Sequence, residues 1–238
     1  MRDLVIVGAG GFARETAAAV AAVNTIAPTW RLHGFLDDDP ALHGVIRSGL
    51  PVLGGTALLA AAGPLAEAAV IVCVGNPGNF AARERIVGRL ALPERRYATV
   101  LHPTVEVGAG SRVGPGSVLL AGTVLTADVT VGAHVAVMPQ VVLTHDDVVG
   151  DFATLAAGVR AGGEVRVETG AYVGSGALLR ERVRIGAGAL VGIGATVLHD
   201  VPPGEVWAGN PARRLRAVTP VPVRHPPAGV PVGAAVKE

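Results

Sequence analysis

The stretch V107-G-A-G-S-R-V-G-P-G-S-V-L119 decides the fold. Val107, Val113 and Leu119 stand six residues apart. The same spacing runs on without a phase break through Leu125, Val131, Val137, Leu143, Val149, Leu155, Ala161, Val167, Val173, Leu179, Ile185, Val191 and Val197. In a chain that is 50% hydrophobic, sixteen such positions in a row have a chance on the order of 10^-5. A fixed short period means a repeat architecture. Two further columns follow the first. The second position is often glycine (Gly108, Gly114, Gly132, Gly150, Gly162, Gly174, Gly186, Gly192), which suits the unusual backbone angles of a corner. The fifth position is small or valine throughout, except at Asp147. First and fifth positions then face inward. Three hexads close into a triangular coil of three strands and three corners, and residues 107–202 make a little over five coils. Pro202 and Pro203 end the pattern, and A208-G-N-P-A-R213 follows.

Composition agrees with this architecture. Aromatic residues are only 3% of the 238, so a core must be built from Val, Ala, Leu and Ile, as stacked coils require. The net charge is +1 with no long run of one sign, which argues against a nucleic-acid or membrane surface. The single cysteine, Cys73, lies in the apolar run V70-I-V-C-V74. It reads as a small buried hydrophobe, with no disulfide framework. L4-V-I-V7 is too short for the apolar region of a signal peptide, and no segment reaches about 18 unbroken apolar residues. The expected location is the reducing cytoplasm.

Ahead of the repeat the chain alternates strands and helices. L4-V-I-V7, R31-L-H-G-F-L36 and V70-I-V-C-V74 read as buried strands, with Tyr97 to Val100 as a last one. Helical stretches run from Ala13 to Val23 and from Phe80 to Leu90, with a short helix from Thr56 to Ala62. This order implies a Rossmann-like α/β domain with a parallel sheet. The expected organisation is therefore an α/β domain over residues 1–100, a β-helix over 101–217, and a flexible Pro-rich tail over 218–238.

G8-A-G-G-F12 follows the first strand and opens a helix. Backbone N–H groups and the positive helix end there can receive an anion, usually a phosphate. G8-x-G10-x-x-A13 also fits the dinucleotide fingerprint weakly, with Asp37 closing the second strand. At about 100 residues the domain is only half of a full dinucleotide fold. It has room for one nucleotide at the strand ends, near Gly10, Gly11, Phe12, Asp37, Asp38 and Gly75.

Six of the seven histidines have bland readings or weak ones. His33 and His43 stand near strand and turn ends, His102 at the junction and His225 in the tail. His134 takes the fourth position of its hexad, an exposed one. His199 shares a corner column with His145 but lies three coils away, roughly 14 Å at about 4.8 Å per strand, too far to share a proton or a metal. His145, in L143-T-H-D-D-V148, stands at a corner with two carboxylates after it. An imidazole with a carboxylate partner is a general base suited to neutral pH. Either Asp146 or Asp147 can be that partner, and Asp147 sits in an inward column where an unpaired carboxylate is costly. No second histidine lies near enough for a three-histidine zinc site of the γ-carbonic-anhydrase kind.

The hexads resemble those of the hexapeptide acyltransferases. Together, G8-A-G-G-F12, F35-L-D-D38, the His-Asp corner and the run H145-D-D-V-V-G-D-F-A-T-L-A-A-G158 into A161-G-G-E-V165 look like the sialic-acid O-acetyltransferases and bacillosamine-pathway N-acetyltransferases. The resemblance covers residues 1 to about 215. It implies a left-handed parallel β-helix, a homotrimer with sites between subunits, and acetyl-CoA as co-substrate with no metal. It implies that the first domain binds the nucleotide-sugar acceptor rather than NAD(P), through Gly10, Gly11, Phe12, Asp37, Asp38 and Gly75. It makes His145 the catalytic base and Asp146 the residue that raises its basicity. Thr154, Gly163, Ser175 and Ile193 become acetyl-CoA-binding positions. Related sequences often carry a second histidine where Thr154 stands, and cysteine or a small residue where Asp147 stands. The activity expected is N-acetylation of a nucleotide-linked 4-amino sugar. O-acetylation of a free sugar, or a non-catalytic trimeric sugar-nucleotide-binding role, are the alternatives.

Overall fold

The computed structural model describes residues 1–60 and 62–219. The tail expected at the C-terminus lies, from residue 220 onward, outside the described residues.

The first domain is β1 (Arg2–Val7), α1 (Gly11–Ile26), β2 (Trp30–Leu36), β3 (Ile46–Arg47), β4 (Leu50–Gly54), β5 (Ala69–Val72) and α2 (Ala82–Leu90). The strand order is β3-β4-β2-β1-β5. All pairings are parallel except β3 with β4. The residues of L4-V-I-V7 are all buried because they alternate between two covered faces. Leu4 and Ile6 pack with Ala13 and Ala17 of α1; Val5 and Val7 pack with Leu59 and Tyr97, and Ile86 and Val87 of α2 lean on that cluster. The turn after β1 needs glycine at Gly8: its φ is +104°, and a Cβ there would stand 2.8 Å from the Cys73 carbonyl oxygen. Cys73 is buried as expected, and its Sγ donates to Thr16 Oγ1 at 3.3 Å.

Tyr97 to Val100 does not form a strand of this sheet. Tyr97 makes one isolated bridge to Val70, and Val100–Leu101 pairs instead with Val118–Leu119 of the repeat. The junction is thus a seam rather than a linker. Val100, Val118 and Leu120 of the repeat sit in the same buried cluster as Leu4, Ile6 and α1.

The repeat is a left-handed parallel β-helix. Each strand is two residues, the sixth and first of successive hexads, and pairs with strands eighteen residues before and after. Three faces result. The first starts at Val100–Leu101, the second at Glu106–Val107 and the third at Arg112–Val113. From Leu119 on, both inward columns are buried, and together they make one continuous core.

The corners differ from expectation in one respect. The left-handed backbone falls on the fourth position, at Gly110, Gly116 and Gly158 but also at Asp128, His134, Gln140, Asp146, Phe152, Glu164 and Arg182. The second-position glycines have ordinary φ and serve close stacking. A Cβ on Gly174 would stand 2.7 Å from the Gly192 carbonyl carbon in the next coil, and one on Gly108 would strike the Thr126 carbonyl oxygen.

Candidate active site

His145 and Asp146 form the turn between the second and third faces, and both are exposed. Asp146 occupies the left-handed fourth position, with φ +63°. That is a slot glycine fills most easily, and aspartate tolerates it better than most side chains. Its Oδ2 lies 2.9 Å from Nδ1 of His145. This hydrogen bond is the largest influence and raises the imidazole above its usual range against an opposing desolvation, with the charges of Asp146, Glu164 and Asp147 adding to the rise. It also leaves Nε2 as the outward-facing nitrogen.

The ring lies directly over Gly163, one coil on. A Cβ on Gly163 would come within 2.4 Å of both Cε1 and Nε2. Among the described residues no acceptor takes the Gly163 N–H. An unengaged donor therefore stands beside an imidazole nitrogen that is free to accept a proton.

The structure separates the two carboxylates that the sequence leaves open. Asp147 is buried, and its two oxygens accept the N–H groups of Thr144 and Val165, each at 2.8 Å. It pins two coils together, and its hydrogen bonds run to backbone rather than to His145. Burial pushes its carboxyl up to about 7, against the two N–H donors.

Ser175 and Ile193 stand on a different edge, between the first and second faces. Ile193 is 79% exposed. No acceptor among the described residues takes either N–H, and Cβ atoms on the neighbouring Gly176 and Gly194 would meet nothing within 4 Å. The edge is open and lined by free donors, so it fits an extended chain carrying amides. Thr154 lies apart from it on the first face, where its hydroxyl accepts from Arg83 at 3.0 Å.

Gly10, Gly11, Phe12, Asp37, Asp38 and Gly75 all fall at the carboxyl ends of β1, β2 and β5. A Cβ on Gly10 or Gly11 would meet nothing within 4 Å, so the helix start opens to solvent. The two aspartates are already engaged. Asp37 accepts the N–H groups of Ala9 at 3.2 Å and Asp39 at 3.1 Å. Asp38 accepts from both Thr56 N and its hydroxyl, and pairs with Arg89 at 2.5 Å. Asp37 ties down the glycine turn; Asp38 lines a cavity of 480 Å³ with Thr56, Leu59 and Arg89.

Two features escape the sequence reading. His134 is 7% exposed, not an exposed corner residue. Its ring stacks on Phe152 at 5.0 Å and meets Tyr97 edge-on at 4.6 Å. Burial, with the nearby Arg83 charge, pushes it down to about 4. Arg83 is 2% exposed and makes five hydrogen bonds, four of them to the repeat. A signal for it exists. Arg83, Ile86, Val87 and Leu90 follow the i, i+3, i+4, i+7 spacing of one helix face, so a cation stands on the apolar stripe of α2.

Among the described residues no group of three His, Cys, Asp or Glu is placed to hold a metal ion, and no helix is long and apolar enough to cross a membrane.

Residues 3–90 match the family model described as the PglD N-terminal domain. GDP-perosamine N-acetyltransferase of Escherichia coli O157:H7 is 30% identical over 187 residues, which cover 76% of this chain and 81% of that protein. The acetyltransferase domain of PglB from Neisseria gonorrhoeae FA1090, solved in complex with acetyl coenzyme A, has a TM-score of 0.77 at 29% identity, covering 90% of this chain and 99% of that one. PerB from Caulobacter crescentus, solved with CoA and GDP-perosamine, has a TM-score of 0.67 at 25% identity, covering 90% and 98%.

Proposed function

The chain belongs to the sugar acetyltransferases of the hexapeptide-repeat family, and we propose that it transfers the acetyl group of acetyl-CoA to the amino group of a nucleotide-linked 4-amino sugar, with His145 as general base. The observation that carries this reading is the His145–Asp146 pair at 2.9 Å with Nε2 placed over Gly163. The E. coli relative is named for the same reaction class on GDP-perosamine, and PerB was solved with that sugar nucleotide and CoA.

The amine attacks the thioester carbonyl carbon and forms the C–N bond. The negative charge that develops on oxygen is met by the Gly163 N–H. Nε2 of His145 takes the amine proton, and the resulting imidazolium is held by Asp146. The C–S bond breaks, coenzyme A leaves as the thiolate, and the proton passes from His145 to it or to solvent. No covalent enzyme intermediate is needed. Cys73 is buried in the first domain, where burial pushes its thiol up to about 12.

Within one chain the His145 edge and the Ser175–Ile193 edge are different corners of the prism. A cleft that uses both requires a second copy, which supports a homotrimer with sites between subunits. The glycine turn at Gly10 and Gly11 and the loop at Gly75 supply the acceptor's diphosphate with backbone donors at a helix start. The reading places the reaction in the cytoplasm, where acetyl-CoA and nucleotide sugars are made available together.

Thiol release from acetyl-CoA, measured across UDP-, GDP- and dTDP-linked 4-amino sugars and free sugars, tests the proposal. Turnover confined to nucleotide-linked amino sugars is expected. Preference for a free sugar hydroxyl would reassign it to O-acetylation. Silence across the panel, with tight nucleotide binding, would make it a non-catalytic binding protein.

A further inference from the structure

α2 begins at Ala82, so Arg83 stands in its first turn. A cation there opposes the helix dipole, which favours negative charge at that end. The guanidinium is also buried, and a buried charge is costly unless its hydrogen bonds are met. Among the described residues no carboxylate meets it: its partners there are four carbonyl oxygens and one hydroxyl. Nε donates to the His134 carbonyl at 2.7 Å. One terminal nitrogen donates to the carbonyls of Phe152 at 2.8 Å and Ala153 at 3.0 Å and to Thr154 Oγ1 at 3.0 Å. The other reaches the Val74 carbonyl at 3.4 Å and lies 3.5 Å from where a Cβ on Gly75 would stand. The helix dipole runs against this placement, so the acceptors explain it.

Those acceptors lie in two places. Val74 leads into the loop after β5, at the strand ends proposed to bind the acceptor. Phe152, Ala153 and Thr154 lie one strand after the His145–Asp146 turn, in the same coil. His134 and Phe152, whose carbonyls are held, also stack their rings, so the clasped corner is stiff. A single planar group therefore joins the acceptor loop to the coil that carries the base.

We propose that Arg83 is a positioning residue that sets the height of the loop 75–80 against the β-helix, and so the reach of a bound acceptor to His145. This rests on the functional reading above. The fork geometry matters: lysine carries the charge but not the rigid array of donors.

Arg83→Met and Arg83→Lys test it, each compared with wild type for both Michaelis constants, turnover and thermal melting. For Arg83→Met the acceptor kcat/KM falls by about 10²-fold, the scale of a misplacement near 1 Å, while the KM for acetyl-CoA stays within about twofold because the Ser175–Ile193 edge is untouched. Arg83→Lys recovers part of the loss. Amide hydrogen exchange, which needs no turnover, rises together in the loop 75–80 and in residues 150–155 of either folded variant, with the other coils unchanged. Should Arg83→Met fail to fold, Arg83→Lys carries both measurements. A folded Arg83→Lys or Arg83→Met protein with unchanged acceptor kinetics and unchanged exchange overturns the inference. So does a lowered melting temperature with unchanged kinetics and exchange spread over the whole chain. Wild-type protein silent on every acceptor would sink the functional reading instead, and the exchange experiment would still decide the role of Arg83.

Discussion

His134 and His145 stand two corners apart on the same β-helix and have opposite fates. His134 is buried between Tyr97 and Phe152, with its Nδ1 unpartnered among the described residues, and is held down to about 4. His145 is exposed, bonded to Asp146 and raised. Both rings lie over a glycine of an adjacent coil, Gly116 for His134 and Gly163 for His145. The repeat itself is neutral between them. Two things decide: what packs over the corner, and which residue takes the left-handed fourth position. At the His145 corner that position is Asp146. At the other it is His134 itself, turned under the first domain.

The sharpest way to break the comparison is to remove the base. His145→Ala should lower kcat by ~10²–10⁴-fold, the usual general-base contribution, without changing the melting temperature, because the side chain is exposed. Retention of most of the turnover would remove His145 from its role.

Gly163→Ala separates the ring's position from its presence. The added Cβ cannot share space with an imidazole 2.4 Å away, but that ring is the free end of an exposed side chain and can swing aside. A loss of roughly 10–10²-fold in kcat with native stability is expected, as for other small misplacements of a catalytic group. Unfolding instead of lost turnover would mean that the contact is structural.

Asp146→Asn keeps the left-handed turn and removes the charge. With its principal raising partner weakened, His145 titrates lower in the variant. The base must be neutral to act, so the acid limb of the kcat/KM profile moves to lower pH while the plateau falls by about tenfold. An acid limb that stays in place would assign that limb to another group.

How much of this was legible depends on which interactions are local. The six-residue column names the coils because each inward residue meets its own kind eighteen residues away, and His145 with Asp146 is a neighbour pair. Asp147 was readable as an anomaly but not as an answer, since its Val165 partner lies in the next coil. The role of the second-position glycines is hidden for a related reason: Gly174 serves the closeness of Gly192, which exists only once coils stack. The burial of His134 is not legible from its hexad position, because its cover comes from Tyr97 of the α/β domain. Arg83 left a trace on the face of α2, but its acceptors at His134 and Phe152 are set only by how the two domains dock.

The smallest effect is expected at His134. His134→Phe keeps an aromatic ring where Phe152 already shows that the left-handed slot accepts one, and it deletes a buried unpartnered nitrogen, so turnover should stay within about twofold. The stability effect depends on pH, and its sign follows from linkage. Native His134 is neutral down to about 4, whereas the unfolded chain binds a proton near the ordinary value of about 6.5. Between those limits the unfolded state holds more protons. His134 therefore costs nothing above pH 6.5, destabilises the wild type increasingly as pH falls toward 4, and adds no more below that. Asp147 has the opposite profile: its native pKa is raised to about 7, so its contribution weakens as pH rises from about 4 to 7. It is common to both proteins and cancels in the difference. Urea unfolding at pH 7.5 and pH 5 should therefore give a variant-minus-wild-type difference that grows by about 1–2 kcal/mol on acidification. A difference that does not change with pH would mean that His134 is not held neutral by its burial, and the contrast with His145 would then rest on accessibility alone.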